Sequence, residues 1–300
     1  MSQTRIYENC RADGQSRAHF GDNYYHYSST TEEELILDWL SPRDHSDPRN
    51  TALRSYQPDT LRWFFDDPTF KSWVDLDLDA DYAASARILW CRGDMGTGKS
   101  VLASKIGEEL LEDSILENYV ALVFCSWIRR NEQTFEAIIG SVLAQLCLRD
   151  IPQNVRDTYR RRCSHGRHLR PSRGELESWI NEFATSTQKL PVIILDGLDE
   201  LQPAVRSEIL YSLQSSPLSR VKILVTSRFP PDRAEVREEV SLVEFCSARS
   251  DVEHFIVAAF QKPASCKLKT LIEGETSLGK TERMTADCIV SQVLAKSRGM

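Results

Sequence analysis

Gly93-Asp94-Met95-Gly96-Thr97-Gly98-Lys99-Ser100 spells G-x-x-x-x-G-K-S, a complete phosphate-binding loop. Arg87-Ile88-Leu89-Trp90-Cys91 before it reads as a short buried strand, and Val101-Leu102-Ala103-Ser104-Lys105-Ile106 after it opens an apolar pattern at helical spacing that runs on through Leu110 and Leu111. Strand, loop and helix in that order are the context the motif needs. The glycines let backbone N–H groups curl around a polyphosphate, and the helix N-terminus adds partial positive charge. Gly93 through Val101 are the predicted nucleotide-binding residues, with the Lys99 ammonium on the outer phosphates and the Ser100 hydroxyl on Mg2+. With glycine near 7% of residues, a chance match in a chain this long is on the order of one in a hundred.

Outward from the loop, strands and helices alternate. Strands are predicted at Ile88–Cys91, Tyr119–Cys125, Val192–Asp196, Ile223–Thr226 and Leu242–Phe245. Helices are predicted at Lys99–Leu111, Phe135–Leu148, Glu175–Phe183 and Val205–Leu213, with another opened by a Ser250/Glu253 capping box and running to Phe260. Near-continuous apolar strands separated by helices indicate an α/β fold with a parallel sheet covered on both faces.

In such a sheet the carboxyl ends of the strands share the edge that carries the phosphate loop. Pro191-Val192-Ile193-Ile194-Leu195-Asp196-Gly197-Leu198-Asp199-Glu200 is an apolar strand that ends there in an acidic cluster. Asp196 is expected to face the metal through a water, from across the phosphates, with Ser100 on the metal itself. Asp199 and Glu200 are expected to orient or activate a water. The next strand ends in Thr226-Ser227-Arg228, which brings Arg228 toward the terminal phosphate as the third candidate catalytic residue.

The ends of the chain read differently. Residues 1–30 are polar and read as a flexible arm; the tyrosine-rich stretch Phe20–Tyr27 within it can ladder between chains as a cross-strand segment. Residues 31–84 read as a helical lead-in. Thr30 and Glu33 form its capping box, Leu35, Ile36, Trp39 and Leu40 its first apolar face, and Pro42 its stop. Leu61, Trp63, Phe64, Phe70 and Trp73, interrupted by Pro68, supply an aromatic face for packing against the next domain, 85–261. Asp75, Asp77, Asp79 and Asp81 alternate like a calcium loop, but Ala80 and Ala86 stand where glycine and glutamate are required, so the segment reads as an acidic linker. Residues 262–300 read as a polar linker and a terminal helix.

Composition bounds the function. A net charge of -7 argues against a nucleic-acid clamp. The basic stretch Arg160, Arg161, Arg162, Arg167, Arg170 and Arg173 lacks aromatic interleaving and reads as a solvated loop, with a docking surface for an acidic partner as the rival. Neither a signal peptide nor a membrane-spanning run is present in the sequence, so no membrane partner is expected. Eight cysteines without C-x-x-C spacing, three of them in apolar runs (Cys91, Cys125, Cys147), read as reduced thiols of a cytoplasmic protein.

Trp90-Cys91-Arg92-Gly93 through Ser100, then Leu195 through Glu200, then Thr226-Ser227-Arg228 together resemble a NACHT-type domain, in the nephrocystin-3-like N-terminal form found in fungal NOD-like receptors. Ile36 through Pro42 and Phe70-Lys71-Ser72-Trp73 resemble the segment that precedes the loop in those proteins. The resemblance implies a P-loop NTPase with five parallel strands in the order 5-1-4-3-2. It also implies a signal-transducing switch that exchanges and slowly hydrolyses a nucleotide, and an oligomeric open state. Full receptors of that kind continue into a winged-helix segment and repeats, so a chain ending at Met300 reads as a fragment or as a short form lacking its sensor.

The expectation is a switch that binds Mg-ATP or Mg-GTP, forms homo-oligomers and engages an effector protein through the N-terminal arm. A P-loop phosphotransferase with a small acceptor and a lid of arginines, and a scaffold that keeps its nucleotide unhydrolysed, are the alternatives. No N-K-x-D run marks a guanine site, which tips the base toward adenine.

Overall fold

A computed structural model describes residues 31–41, 46–75, 86–112, 119–163, 169–186, 191–215, 221–246, 248, 250–252, 254 and 255. The expected arm, the Asp77–Asp81 alternation, the segment 262–285 and the terminal helix lie outside them.

Five strands form the sheet: β1 (Ile88–Arg92), β2 (Val120–Phe124), β3 (Val192–Asp196), β4 (Lys222–Ser227) and β5 (Val240–Glu244). All pairings are parallel, and the order β2-β3-β4-β1-β5 is the expected 5-1-4-3-2 read from the other edge. Successive side chains point to opposite faces of a strand. Ile88, Trp90, Ala121, Val123, Ile193, Leu195, Ile223 and Val225 accordingly enter one apolar core, while Leu89, Cys91, Leu122, Val192, Ile194 and Leu224 enter another. Burial on both sides is why these strands lack polar alternation. Edge strand β5 is largely half-exposed, and it begins two residues earlier than expected.

The larger core is roofed by α1 (Glu32–Leu40), α6 (Phe135–Leu146), α7 (Gln153–Cys163), α8 (Arg173–Ser186) and α9 (Pro203–Gln214). Under the other face lie α3 (Arg62–Phe65), α4 (Pro68–Val74) and α5 (Lys99–Glu112), with α2 (Ser46–Ser55) packed on α5. The Gln145 side-chain amide bonds both Leu122 N–H and Leu122 C=O, and Gln133 bonds Ser126 N–H and Phe124 C=O. These two amides occupy the open hydrogen-bonding edge of β2, which would otherwise template pairing with another chain.

The lead-in packs as its aromatics suggest. Phe64, Phe70 and Trp73 are buried against Leu89 and Phe245, and Trp63 stacks on Phe245 at 5.4 Å. Asp251, beyond β5, accepts from Leu61 N–H and Trp63 Nε1–H, holding Leu61 at its positive φ of 66°. Pro68 starts α4 instead of interrupting one helix, because Asp67 caps Thr69 and Phe70 just before it. Buried Trp39 packs edge-on to Tyr159, and α1 crosses α6 so closely that a Cβ on Gly140 would lie 2.5 Å from the Leu40 carbonyl oxygen.

Three local readings are corrected. The capping box uses Thr31 and Glu34, one residue beyond Thr30 and Glu33, because Glu33 turns to Arg156 and Glu32 to Arg160. Helix α2 has no counterpart in the sequence reading, since Ala52 and Leu53 are its only apolar residues. Among the described residues the arginine stretch is not a solvated loop; Arg167 lies outside them. Arg160, Arg161 and Arg162 end α7, Arg162 pairs with Glu175, and Arg173 pairs with Glu177 and Glu208. Arg170 donates to the Asp38 and Trp39 carbonyls, satisfying the last turn of α1. Acidic partners on α1, α8 and α9, distant in sequence, fix these side chains.

Candidate functional site

The loop Gly93–Gly98 lies between β1 and α5 at the carboxyl edge of the sheet. Gly96 and Gly98 have φ of 83° and 95°, a region that a side chain disfavours, and this curls the backbone over the first turn of α5. The Lys99 ammonium donates to the Gly93 and Asp94 carbonyls, each at 2.7 Å. Burial pulls its pKa below the usual lysine value, partly opposed by Asp199 and Asp196. Thr97 Oγ1 closes the loop on the Asp94 carbonyl.

Asp196 ends β3 and is buried. Ser100 Oγ–H donates to its Oδ2 at 2.6 Å, and Thr226 Oγ1–H to its Oδ1 at 2.6 Å. Burial raises its pKa above the ordinary aspartate value, with the two hydroxyl bonds working the other way. Thr226 is fully buried and its oxygen also accepts Gly197 N–H at 2.8 Å, so one hydroxyl joins the ends of β3 and β4. Ser100 and Asp196 fit Mg2+: both are hard oxygen donors, already adjacent, and two protein ligands leave positions for phosphate and water. Among the described residues no cluster of three His, Cys, Asp or Glu side chains offers another metal site.

Asp199 and Glu200 stand on the one-turn 3-10 helix Leu198–Glu200. The Asp199 side chain is 4% exposed and accepts from Arg228 Nε–H at 2.5 Å and Arg228 N–H at 3.2 Å. That bond is the main reason the Arg228 guanidinium titrates above its usual range. Glu200 Oε2 accepts Trp127 N–H at 2.9 Å. Around these groups opens a cleft of about 1010 Å³, walled by the loop, the strand-end turns, the Trp127–Arg129 turn and Pro48, Thr51, Ala52 and Ser55 of α2.

Every sequence-predicted site residue therefore lies in or beside one cleft. Sequence reading did not foresee the Arg228–Asp199 pair, the Thr226 bridge or the two outer walls. The signal for Thr226 was its place at a strand end level with the loop, since it pairs in register with Cys91. For the walls there was little to read: α2 is polar, and Trp127-Ile128-Arg129 resembles any strand-exit turn.

A parallel sheet in this order, with a G-x-x-x-x-G-K-S loop after β1 and an acidic end on β3, defines the P-loop NTPase class of fold. The chain belongs to the family described as nephrocystin 3, N-terminal, which matches residues 59–228. Among solved structures it is similar to Cdc6p from Pyrobaculum aerophilum, at 16% identity and a TM-score of 0.43 over 69% of this chain and 52% of that one. The Aeropyrum pernix ORC1 protein, solved in complex with DNA, gives 14% identity and a TM-score of 0.41 over 89% of this chain and 64% of that one. Drosophila ORC, solved bound to DNA, gives 12% and 0.39 over 65% and 46%. The chain spans about half the length of the Cdc6p and Drosophila chains. No curated protein gives a significant match. Among the described residues no helix is long and apolar enough to cross a membrane.

Proposed function

We propose that this protein is a nucleotide switch that binds a magnesium-bound nucleoside triphosphate and hydrolyses it slowly. The observation that carries the reading is the 2.6 Å bond between Ser100 and Asp196, which unites the two halves of a phosphate–metal site read from segments 96 residues apart. On this reading Gly93–Val101 cradle the phosphates, and Lys99 exchanges its two loop carbonyls for outer phosphate oxygens. Ser100 and Asp196 hold Mg2+, which when bound neutralises phosphate charge. Asp199 and Glu200 orient the attacking water. Its oxygen bonds to the terminal phosphorus as the bond to the bridging oxygen breaks, giving a nucleoside diphosphate and inorganic phosphate. Arg228 keeps Asp199 on its Nε and presents its Nη groups to the terminal phosphate as a sensor.

The division into a lead-in (31–84), a nucleotide domain (85–261) and flanking segments (1–30, 262–300) belongs to the same proposal. So do signalling as part of a NOD-like receptor, homo-oligomerisation, effector recruitment through residues 1–30 and a cytoplasmic setting. The net charge of -7 favours protein partners over nucleic acid. The phosphotransferase alternative needed an arginine lid, and Arg160, Arg162 and Arg173 are held in ion pairs instead.

Phosphate release from ATP and GTP with magnesium, measured on wild type and Glu200→Gln, tests the hydrolytic half. A switch turns over well below about one per second, as unassisted P-loop switches do, and Glu200→Gln slows it further. Rapid turnover by dilute protein would overturn the switch, and phosphate transfer to a small acceptor would revive the alternative.

A further inference from the structure

The cleft contains a cation to which the sequence motifs assign no role. Three basic side chains line it: Lys99, Arg129 and Arg228. Lys99 is seated on its own loop and Arg228 on Asp199. Among the described residues, no hydrogen bond or ion pair engages the Arg129 guanidinium, which is exposed toward the cleft.

Its root, by contrast, is fixed. Arg129 N–H donates to the Ser126 carbonyl, and the Arg129 carbonyl accepts from Glu132 N–H at 2.9 Å and Gln133 N–H at 3.1 Å. Buried Gln133 clamps the same turn to the end of β2, and Trp127 N–H ties it to Glu200. The anchored backbone confines the ordering cost of anion binding to the Arg129 side chain. Its fork of donors suits phosphate oxygens.

Charge balance points the same way. Lys99, Arg129 and Arg228 line the same cleft as Asp196, Asp199 and Glu200. With Arg129 and a bound Mg2+ counted together, the charges lining the cleft sum to a net positive that suits a polyphosphate. The position distinguishes Arg129 from Lys99 as well. The turn is bonded to Glu200, beside the residues proposed to orient the water, whereas Lys99 is rooted on the phosphate loop itself.

We propose that Arg129 recognises the terminal phosphate of the bound triphosphate, within its own chain, and so discriminates triphosphate from diphosphate. This rests on the nucleotide-switch reading above. Arg129 is a recognition residue rooted beside Glu200, distinct from Arg228, whose charge Asp199 already matches.

The test is equilibrium binding to the full chain, with magnesium, of adenosine and guanosine diphosphates and their β,γ-imido triphosphates. Wild type, Arg129→Ala, Arg129→Lys and Lys99→Ala are compared at two protein concentrations. Arg129→Ala is expected to weaken triphosphate binding about tenfold, the loss of one charge-assisted contact, while diphosphate binding stays within about twofold. Arg129→Lys recovers part of the loss. Equal loss for both nucleotides, no loss, or a loss that depends on protein concentration would overturn the assignment. Failure of wild type to bind any nucleotide would instead sink the switch reading itself, which separates the two ideas.

Discussion

Replacing Thr226 by valine keeps the shape of a fully buried side chain and removes only its hydroxyl. Two bonds vanish: the 2.6 Å donation to Asp196 Oδ1 and the 2.8 Å acceptance from Gly197 N–H. The first is charge-assisted, and the second leaves a part-buried N–H without its partner. Each is worth about 1–3 kcal/mol, so a loss of about 3 kcal/mol is expected. At about 2–4 °C per kcal/mol for a chain of this size, the melting midpoint falls by about 6–12 °C. Asp196 loses one of the two donors that oppose the effect of burial, so its pKa rises further and magnesium-dependent nucleotide binding needs a higher pH. Thr226→Ser retains the hydroxyl and is expected to stay within about 1 kcal/mol of wild type, the worth of one methyl. Thermal melts and magnesium-dependent binding as a function of pH are read side by side for the three proteins. A valine variant with wild-type melting and an unmoved pH profile would refute the bridging role of this hydroxyl.

Because the Asp196 pKa is raised by burial, the carboxylate is present only above that raised value. Magnesium-dependent binding is therefore expected to weaken as pH falls and the Asp196 carboxylate takes up a proton, and a binding titration in which magnesium dependence is unchanged on acidification would contradict it. Gly140→Ala drives a Cβ to within 2.5 Å of the Leu40 carbonyl oxygen, so α1 must shift; a destabilisation of about 1–3 kcal/mol in urea unfolding is expected, and a neutral variant would show that α1 is loosely seated. Maleimide should label exposed Cys246 well before Cys91, Cys125 and Cys147, since those thiols are buried and Cys147 is pushed up to about 12; early labelling of Cys125, checked by peptide mass, would mean that the floor of the cleft opens.

The sheet was legible because burial on both faces leaves nearly pure apolar strands, each punctuated by the loop or acidic end that function requires at one edge. From that the meeting of Ser100 with Asp196 followed, whereas the strand order came from the resemblance to a NACHT-type domain. What escaped reading was set by partners far away in sequence. The arginines of α7 and α8 look like solvated charge until Glu32, Glu33, Glu175 and Glu208 are brought to them. The Asp199–Arg228 pair needs two strand ends side by side, and α2 is held on α5 without an apolar stripe of its own. The local capping signal was right in kind and one residue out in place, because three successive glutamates, Glu32, Glu33 and Glu34, competed for one box.

The most direct measurement is calorimetric titration of wild type and Lys99→Ala with ATP and GTP, with and without magnesium, beside a thermal melt of each protein. Wild type is expected to bind one of the two nucleotides with magnesium in the micromolar range, about -8 kcal/mol, and Lys99→Ala to lose that binding while melting cooperatively. A folded wild type that binds neither nucleotide, or a Lys99→Ala variant that binds as well as wild type, would contradict the claim that this loop is a working phosphate site.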